Sequence, residues 1–234
     1  MTRLLLVTGT GTGVGKTVVT AAIAAVASSQ GVGVAVVKPV QTGVTSSEPS
    51  DVAVVGRLTG CRSLHELVSL DEPLAPDTAA RRAGVEVPDV RVLAEQVAQI
   101  ASEHDLTLVE GAGGVLVRLD RDGGTLLTLG RHLTDLGHEP GVVVVTGLGL
   151  GTLNHTELTV DALRRAGFEP YGLVFGQVPV APDQDLAVRC NVSDLPRVTG
   201  LPVLGRIPAG VGGWGQDEFV AGATQWLAGF HRFP

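Results

Sequence analysis

The stretch Gly9-Thr10-Gly11-Thr12-Gly13-Val14-Gly15-Lys16-Thr17 holds the residue types and spacing with the clearest chemistry. Glycines let backbone N–H groups converge on phosphate oxygens, and the start of a following helix adds partial positive charge. Lys16 would neutralise the outer phosphates of a nucleoside triphosphate, and the Thr17 hydroxyl would sit on Mg²⁺. Five residues separate Gly9 from Gly15, one more than in the common phosphate-loop motif, so Thr10 stands at the first glycine position. The dinucleotide-binding fingerprint fails outright, because Gly9-x-Gly11-x-x is followed by Val14. A merely Gly-rich turn is disfavoured by what flanks it: an apolar run at 4–7 that reads as a buried strand, and an Ala-rich segment at 18–30 that reads as a helix.

Other chemistry-bearing residues stand at the ends of further apolar runs. A second strand is expected over 32–40, with Lys38 near its carboxyl end and Thr42 in the loop beyond. That loop, 41–50, is Ser/Thr/Pro/Glu-rich and reads as mobile. Asp51 then opens a helix, with Ser50 as its cap and Val52, Val55 and Leu58 on one face. A short strand is expected within 64–70, a rigid connector at Pro73-Leu74-Ala75-Pro76, a short helix stopping near Gly84 and a longer helix over 88–104. The strand at 106–109 closes on Glu110-Gly111-Ala112-Gly113-Gly114. After a turn at 120–124, a helix is expected at 126–136 despite Gly130, and a strand at 142–145. Then come a helix at 153–166, a strand at 171–175, a Pro-rich segment at 178–200 with a short helix near its end, a strand at 203–207 and a helix at 216–230. This alternation predicts one α/β domain over 1–234, a mostly parallel sheet flanked by helices on both faces. Ligands then bind beyond the carboxyl ends of the strands.

At that edge Lys16, Thr17, Lys38, Thr42, Asp51 and Glu110 would gather, which suits a nucleoside triphosphate with Mg²⁺ and an anionic second substrate. Each has a blander role: Lys38 could reach solvent, and Asp51 could support a helix start. Glu110 is harder to dismiss, since a carboxylate beside an apolar strand needs a partner or a metal. Thr152 and Asn154 could cap the helix after Leu150-Gly151, whose free start also attracts carboxylates. His155 reads as packed and hydrogen-bonded, Arg81-Arg82 and Arg164-Arg165 as solvated faces.

The net charge of −7 over 234 residues, without a Lys/Arg stripe, argues against a nucleic-acid surface. Cys61 and Cys190 lack metal-ligand spacing, and no apolar run approaches the roughly 20 residues of a membrane span. With no secretory signal after Met1, a cytoplasmic protein is expected.

Together, Val7-Thr8-Gly9-Thr10-x-Thr12-x-Val14-Gly15-Lys16-Thr17, Lys38-Pro39-Val40, Val109-Glu110-Gly111-Ala112-Gly113-Gly114, Leu150-Gly151-x-x-Asn154-His155 and Leu204-Gly205-x-Ile207-Pro208 resemble the dethiobiotin synthetase family, in order and from end to end. The resemblance implies a phosphate-loop NTPase-like fold and a homodimeric, Mg²⁺- and ATP-dependent ligase of biotin synthesis. Its substrates would be 7,8-diaminononanoate (7,8-diaminopelargonate) and CO₂, joined through a carbamate and a carbamic–phosphoric anhydride. By position in the motifs, Lys16, Lys38 and Thr12 would serve the reacting centre, and Thr17, Asp51 and Glu110 would surround Mg²⁺. Thr42 and Lys38 would hold the substrate, and Gly151, Thr152 and Asn154 would receive its carboxylate, across the dimer interface. The nucleotide would lie against Gly13, Val14, Gly15, Lys16, Thr17 and Val18, and against Asp51, Glu110, Gly111, Ala112 and Gly113. Gly176, Gln177, Ile207, Pro208 and Ala209 would complete the nucleotide site. The family often has an Asn-Asp pair where this chain has Gly176-Gln177, so base selectivity is open and other nucleoside triphosphates stand beside ATP.

Rival readings are a related synthetase acting on a larger acid and a nucleotide-switch ATPase. The first calls for an amidotransferase domain with a nucleophilic cysteine. The second uses an additional lysine inside the loop, and none lies between Gly9 and Lys16.

Overall fold

The apolar runs become strands, and residues on alternate sides of each strand enter different cores. In the computed structural model, which describes residues 3–44 and 49–230, β1 (Arg3–Gly9) sends Leu4 and Leu6 to one side and Leu5 and Val7 to the other. A side-chain period of two on a strand buried on both faces needs apolar residues at every position, as the run at 4–7 has. The helix α1 (Lys16–Ser29) lies on the second side with every residue from Val19 to Ala27 buried. Its alanines cost little side-chain entropy and let the helix sit close to the strands.

Seven parallel strands form the main sheet: β1, β2 (Val34–Lys38), β4 (Ser63–Glu66), β6 (Leu106–Glu110), β7 (Gly141–Thr146), β8 (Gly172–Val178) and β9 (Val203–Pro208). Their spatial order is β4-β2-β6-β1-β7-β8-β9. A separate two-stranded ladder pairs β3 (Gln41–Thr42) with β5 (Ser69–Leu70). On the α1 side lie α2 (Asp51–Thr59), through Val52, Val55 and Leu58, and α8 (Gln216–Trp226), through Phe219 and Ala223. The opposite face is covered by α3 (Pro76–Ala83), α4 (Val90–Ala101), α5 (Leu126–Asp135), α6 (Thr152–Arg165) and α7 (Leu186–Thr199).

The expected class is the observed one, and most expected elements are present. Gly130 sits inside α5 because the helix crosses the sheet closely there: a Cβ would meet Phe168 Cζ at 2.8 Å and Leu6 Cδ1 at 2.9 Å. Three local readings differ. The single strand expected within 64–70 is two short ones in different sheets, β4 and β5. The short helix expected near the end of 178–200 is the 14-residue α7. Its Asp185 cap accepts from the N–H groups of Ala187 and Val188 at 2.8 and 3.1 Å, and Pro196 falls in the last turn, so the i→i−4 bond it cannot make is lost near the end of the helix and not at its centre. Ser50 makes no side-chain cap to α2. Of the loop read as mobile over 41–50, residues 45–48 lie outside the described residues, and Gln41–Thr42 are in β3.

One backbone contact ties the edge half of the sheet to the phosphate loop. A Cβ added at Gly176 would lie 2.0 Å from the Val14 carbonyl oxygen and 2.7 Å from Val145 Cγ1. Neither the strand nor the loop can yield without moving backbone. Gly176→Ala is therefore expected to destabilise the fold by about 1–3 kcal/mol, a loss of several degrees in Tm by thermal denaturation. An unchanged Tm would show that β8 and the loop are not in register as described.

Candidate active site

Strand order explains how residues far apart in sequence meet. In the order β2-β6-β1, the Lys38 strand, the Glu110 strand and the strand feeding the phosphate loop are consecutive neighbours. Val7 is level with Glu110, and Val37 with Val109, which sets Lys38 beside Glu110. Lys38 Nζ lies 2.9 Å from Glu110 Oε1, 2.5 Å from Asp51 Oδ2 and 3.1 Å from the Gly111 carbonyl oxygen. All three ammonium protons thus have acceptors. Lys38 and Glu110 are almost fully buried, with 3% and 2% of their surface exposed.

The phosphate loop closes on the same point. Gly13 and Gly15 hold φ of 75° and 98°, the left-handed region that glycine adopts without strain. Gly15 also packs against Gly176, whose carbonyl oxygen would meet an added Cβ at 2.5 Å. The Gln177 amide donates to the Gly13 carbonyl at 2.8 Å, a second tie from β8. Lys16 folds back to donate to the Gly11 carbonyl at 2.8 Å. Burial, and then the nearby Lys38 charge, lower the Lys16 pKa to about 8 against the opposing pull of Glu110 and Asp51.

The electrostatics are uneven, because two carboxylates share one ammonium. For Lys38, burial favours the neutral amine, but Glu110 and Asp51 outweigh it and raise its pKa. Burial would also raise Asp51, yet the Lys38 ammonium prevails and holds it below the usual carboxylate range. Glu110 goes the other way: burial, with Asp51 beside it, outweighs Lys38 and pushes its pKa up. The Thr17 hydroxyl lies 3.0 Å from Asp51 Oδ1 and 2.9 Å from Glu110 Oε1, so its single proton faces two acceptors. This convergence of hard oxygens fits Mg²⁺, which binds through one or two carboxylates, a hydroxyl and substrate phosphates. Among the described residues no group of three or more His, Cys, Asp or Glu could hold a metal, so a cation here would need ligands from the nucleotide as well.

A cleft of about 730 Å³ opens over this cluster. Of the expected residues it is lined by Thr12, Gly13, Gly15, Lys16, Thr17, Val18, Lys38, Thr42, Asp51, Glu110, Ala112, Gly113 and Gln177. Gly111 contributes its carbonyl to Lys38, and Val14 and Gly176 pack behind the loop. Ile207 is buried, Pro208 ends β9 and the Ala209 N–H is spent on the Val178 carbonyl, so none of these lines the cleft.

Gly151, Thr152 and Asn154 likewise lie outside it. The Thr152 hydroxyl is buried in a net with Thr146 Oγ1 at 2.9 Å and the Gly147 carbonyl at 2.8 Å, which fixes the start of α6 from beneath, and Asn154 is exposed. His155, expected to be packed, is exposed. Sequence reasoning missed Gln41, Gly43, Val117 and the wall at 73–76. The Pro-rich connector was the one signal for that wall; Gln41 carried none.

Lys38→Met should leave two facing carboxylates, one of them fully buried. A loss of roughly 3 kcal/mol of stability is expected. In the presence of a non-hydrolysable ATP analogue, MgCl₂ should then raise the Tm of the variant by more than that of the wild type. A variant as stable as wild type, or one indifferent to Mg²⁺, would contradict the charge balance described.

Comparison with known proteins bears on what this cleft serves. An AAA domain family model matches residues 3–210. The chain is 51% identical to the ATP-dependent dethiobiotin synthetase BioD of Streptomyces coelicolor, over 96% of this chain and 92% of that protein. It is 52% identical to the protein of the same description from Rhodococcus jostii, over 96% and 94%. Among solved structures, it is similar to the septum site-determining protein MinD of Pyrococcus horikoshii in complex with Mg-ADP, with a TM-score of 0.56 and 19% identity over 89% of this chain and 82% of that one. A ParA family ATPase from Chlorobium tepidum matches with a TM-score of 0.54 and 15% identity over 98% and 92%. Likeness at that level of identity shows a shared phosphate-loop NTPase fold and no more. Half of all positions shared along nearly the whole length shows more: the chain belongs to the ATP-dependent dethiobiotin synthetase family.

Proposed function

We propose that this chain is a Mg²⁺- and ATP-dependent ligase that closes the ureido ring of dethiobiotin from 7,8-diaminononanoate and CO₂. The observation that carries the reading is the single cleft in which Lys16 of the phosphate loop faces the cluster of Lys38, Asp51, Glu110 and Thr17. The full-length similarity to dethiobiotin synthetases supports it independently.

One substrate amine adds to CO₂ and loses a proton, giving a carbamate. A carbamate oxygen attacks the γ-phosphorus, ADP leaves, and a carbamic–phosphoric anhydride results. The second amine attacks the anhydride carbon, the C–O bond to phosphate breaks, and the ring closes as phosphate leaves. These steps use no covalent nucleophile from the chain, which would position the reactants and neutralise charge. Lys16 would leave the Gly11 carbonyl for the β- and γ-phosphates. Lys38 would exchange one of its present partners for the carbamate and the transferring phosphoryl group. Thr12 would reach the same centre from the loop, and Thr42 would hold the substrate from the opposite wall. Thr17, Asp51 and Glu110 would hold Mg²⁺, which when bound supplies charge neutralisation on the triphosphate oxygens.

The substrate carboxylate would dock at the start of α6, near Gly151, Thr152 and Asn154. These lie outside the cleft of their own chain, and Leu150 and Leu158 beside them are 94% and 61% exposed. A homodimer would cover those leucines and bring one copy's α6 start to the other's cleft. A cytoplasmic setting accords with two free thiols, Cys61 and Cys190, and among the described residues no helix is long and apolar enough to cross a membrane. Where the family often has an Asn-Asp pair, residue 176 has no side chain and the Gln177 amide nitrogen donates to the Gly13 carbonyl, so nucleoside triphosphates other than ATP are candidate substrates.

Phosphate release measured with Mg²⁺, bicarbonate and ATP, CTP or GTP in parallel tests the reading. Release with ATP should depend on the diamine, and rates with CTP and GTP report how far the base is read. Lys16→Ala should lower kcat/KM by about a hundredfold or more, and Lys38→Ala should lower kcat much further than nucleotide affinity. Equal nucleotide consumption with and without diamine would overturn the ligase assignment.

A further inference from the structure

Gln41 lines the cleft yet belongs to none of the roles above. It is a polar side chain with only 7% of its surface exposed. Its Oε1 accepts from the Asp51 N–H at 3.1 Å, and its Nε2 donates to the Thr42 carbonyl at 2.9 Å. Its own backbone N–H is fixed to the Val68 carbonyl at 2.8 Å through the β3–β5 ladder. The first N–H groups of a helix need acceptors, and Ser50, the residue placed to cap α2, provides no side-chain bond. Gln41 serves instead, from ten residues away.

The consequence falls on Asp51. Its backbone is held by Gln41, while its carboxylate meets Thr17 Oγ1 at 3.0 Å and Lys38 Nζ at 2.5 Å. The start of α2 is thus tied to β3 through the Gln41 side chain. The same amide ties down Thr42, so one side chain spans the metal side and the substrate side of the cleft.

We infer that Gln41 is a positioning residue that holds Asp51 in place to receive Mg²⁺, acting through the Asp51 backbone N–H. This rests on the assignment of Thr17, Asp51 and Glu110 to the metal. The acceptor end of the side chain is the functional one. A carboxylate in its place keeps that acceptor, whereas an aliphatic side chain of similar size does not.

The test compares wild type, Gln41→Leu and Gln41→Glu, each saturated with a non-hydrolysable ATP analogue and titrated with MgCl₂ while thermal unfolding is followed. For Gln41→Leu, the Mg²⁺ concentration giving half of the full Tm rise should increase about fivefold to tenfold, the effect of one lost hydrogen bond of about 1 kcal/mol. Affinity for the analogue without Mg²⁺ should stay within about twofold, which a general loosening of the fold would not spare. Gln41→Glu should need no more Mg²⁺ than wild type. A wild-type midpoint in Gln41→Leu, or a midpoint in Gln41→Glu as weak as in Gln41→Leu, would overturn the inference. No Mg²⁺ response in the wild-type complex would overturn the metal assignment itself, and the positioning role with it.

Discussion

A carboxylate buried at the carboxyl end of an interior strand is the constraint around which the site is built. Glu110 is 2% exposed, and the effective penalty for burying such a charge is several kcal/mol. The fold meets it by placing β2 next to β6, so that the Lys38 ammonium lies 2.9 Å away, and by aiming the start of α2 at the same spot. Asp51 then adds a second carboxylate beside the same ammonium. On the proposed reading, these oxygens would receive a cation carried in with a triphosphate. The same carboxylates that need Lys38 in the free protein would release it toward a substrate once the cation takes its place.

The phosphate loop depends on the neighbouring strand as much as on its own glycines. Positive φ at Gly13 and Gly15 shapes the turn, but its position comes from β8, through the Gly176 backbone against Val14 and the Gln177 amide on Gly13. Proteins sharing this fold at 15–19% identity include ATPases of other descriptions, so the fold alone does not choose the chemistry. The chemistry lies in local features: Lys38 closes β2, Glu110 closes β6, and no lysine stands between Gly9 and Lys16.

Features that follow from short-range pattern were legible in the sequence. The strand, loop and α1 were legible because an apolar run, a Gly/Thr stretch and a Lys-Thr pair sit side by side. Lys38 and Glu110 were legible as strand ends, though their contact depends on β2 and β6 being neighbours, which no local signal encodes. Gln41 was not legible, because its role arises only when β3 and α2 are packed together. Ser50 looked like the cap by residue type, and a side chain ten residues earlier took the position. The length of α7 was hidden by prolines before it and inside it, since Pro196 reads as a breaker until its place in the last turn is known. Thr152 had the right type for a helix start, but its hydroxyl is spent on the buried net beneath the loop.

Direct meeting of the carbamate and the triphosphate is the central claim, and isotope transfer tests it without relying on any variant. Enzyme, Mg²⁺, ATP and diamine would be mixed with CO₂ carrying oxygen-18 at both positions, the reaction stopped before hydration washes the label out of CO₂, and the released phosphate analysed by mass. Attack of a carbamate oxygen on the γ-phosphorus delivers one labelled oxygen into each phosphate. Unlabelled phosphate accompanying ring closure would contradict it, because the triphosphate would then have been cleaved by something other than the carbamate.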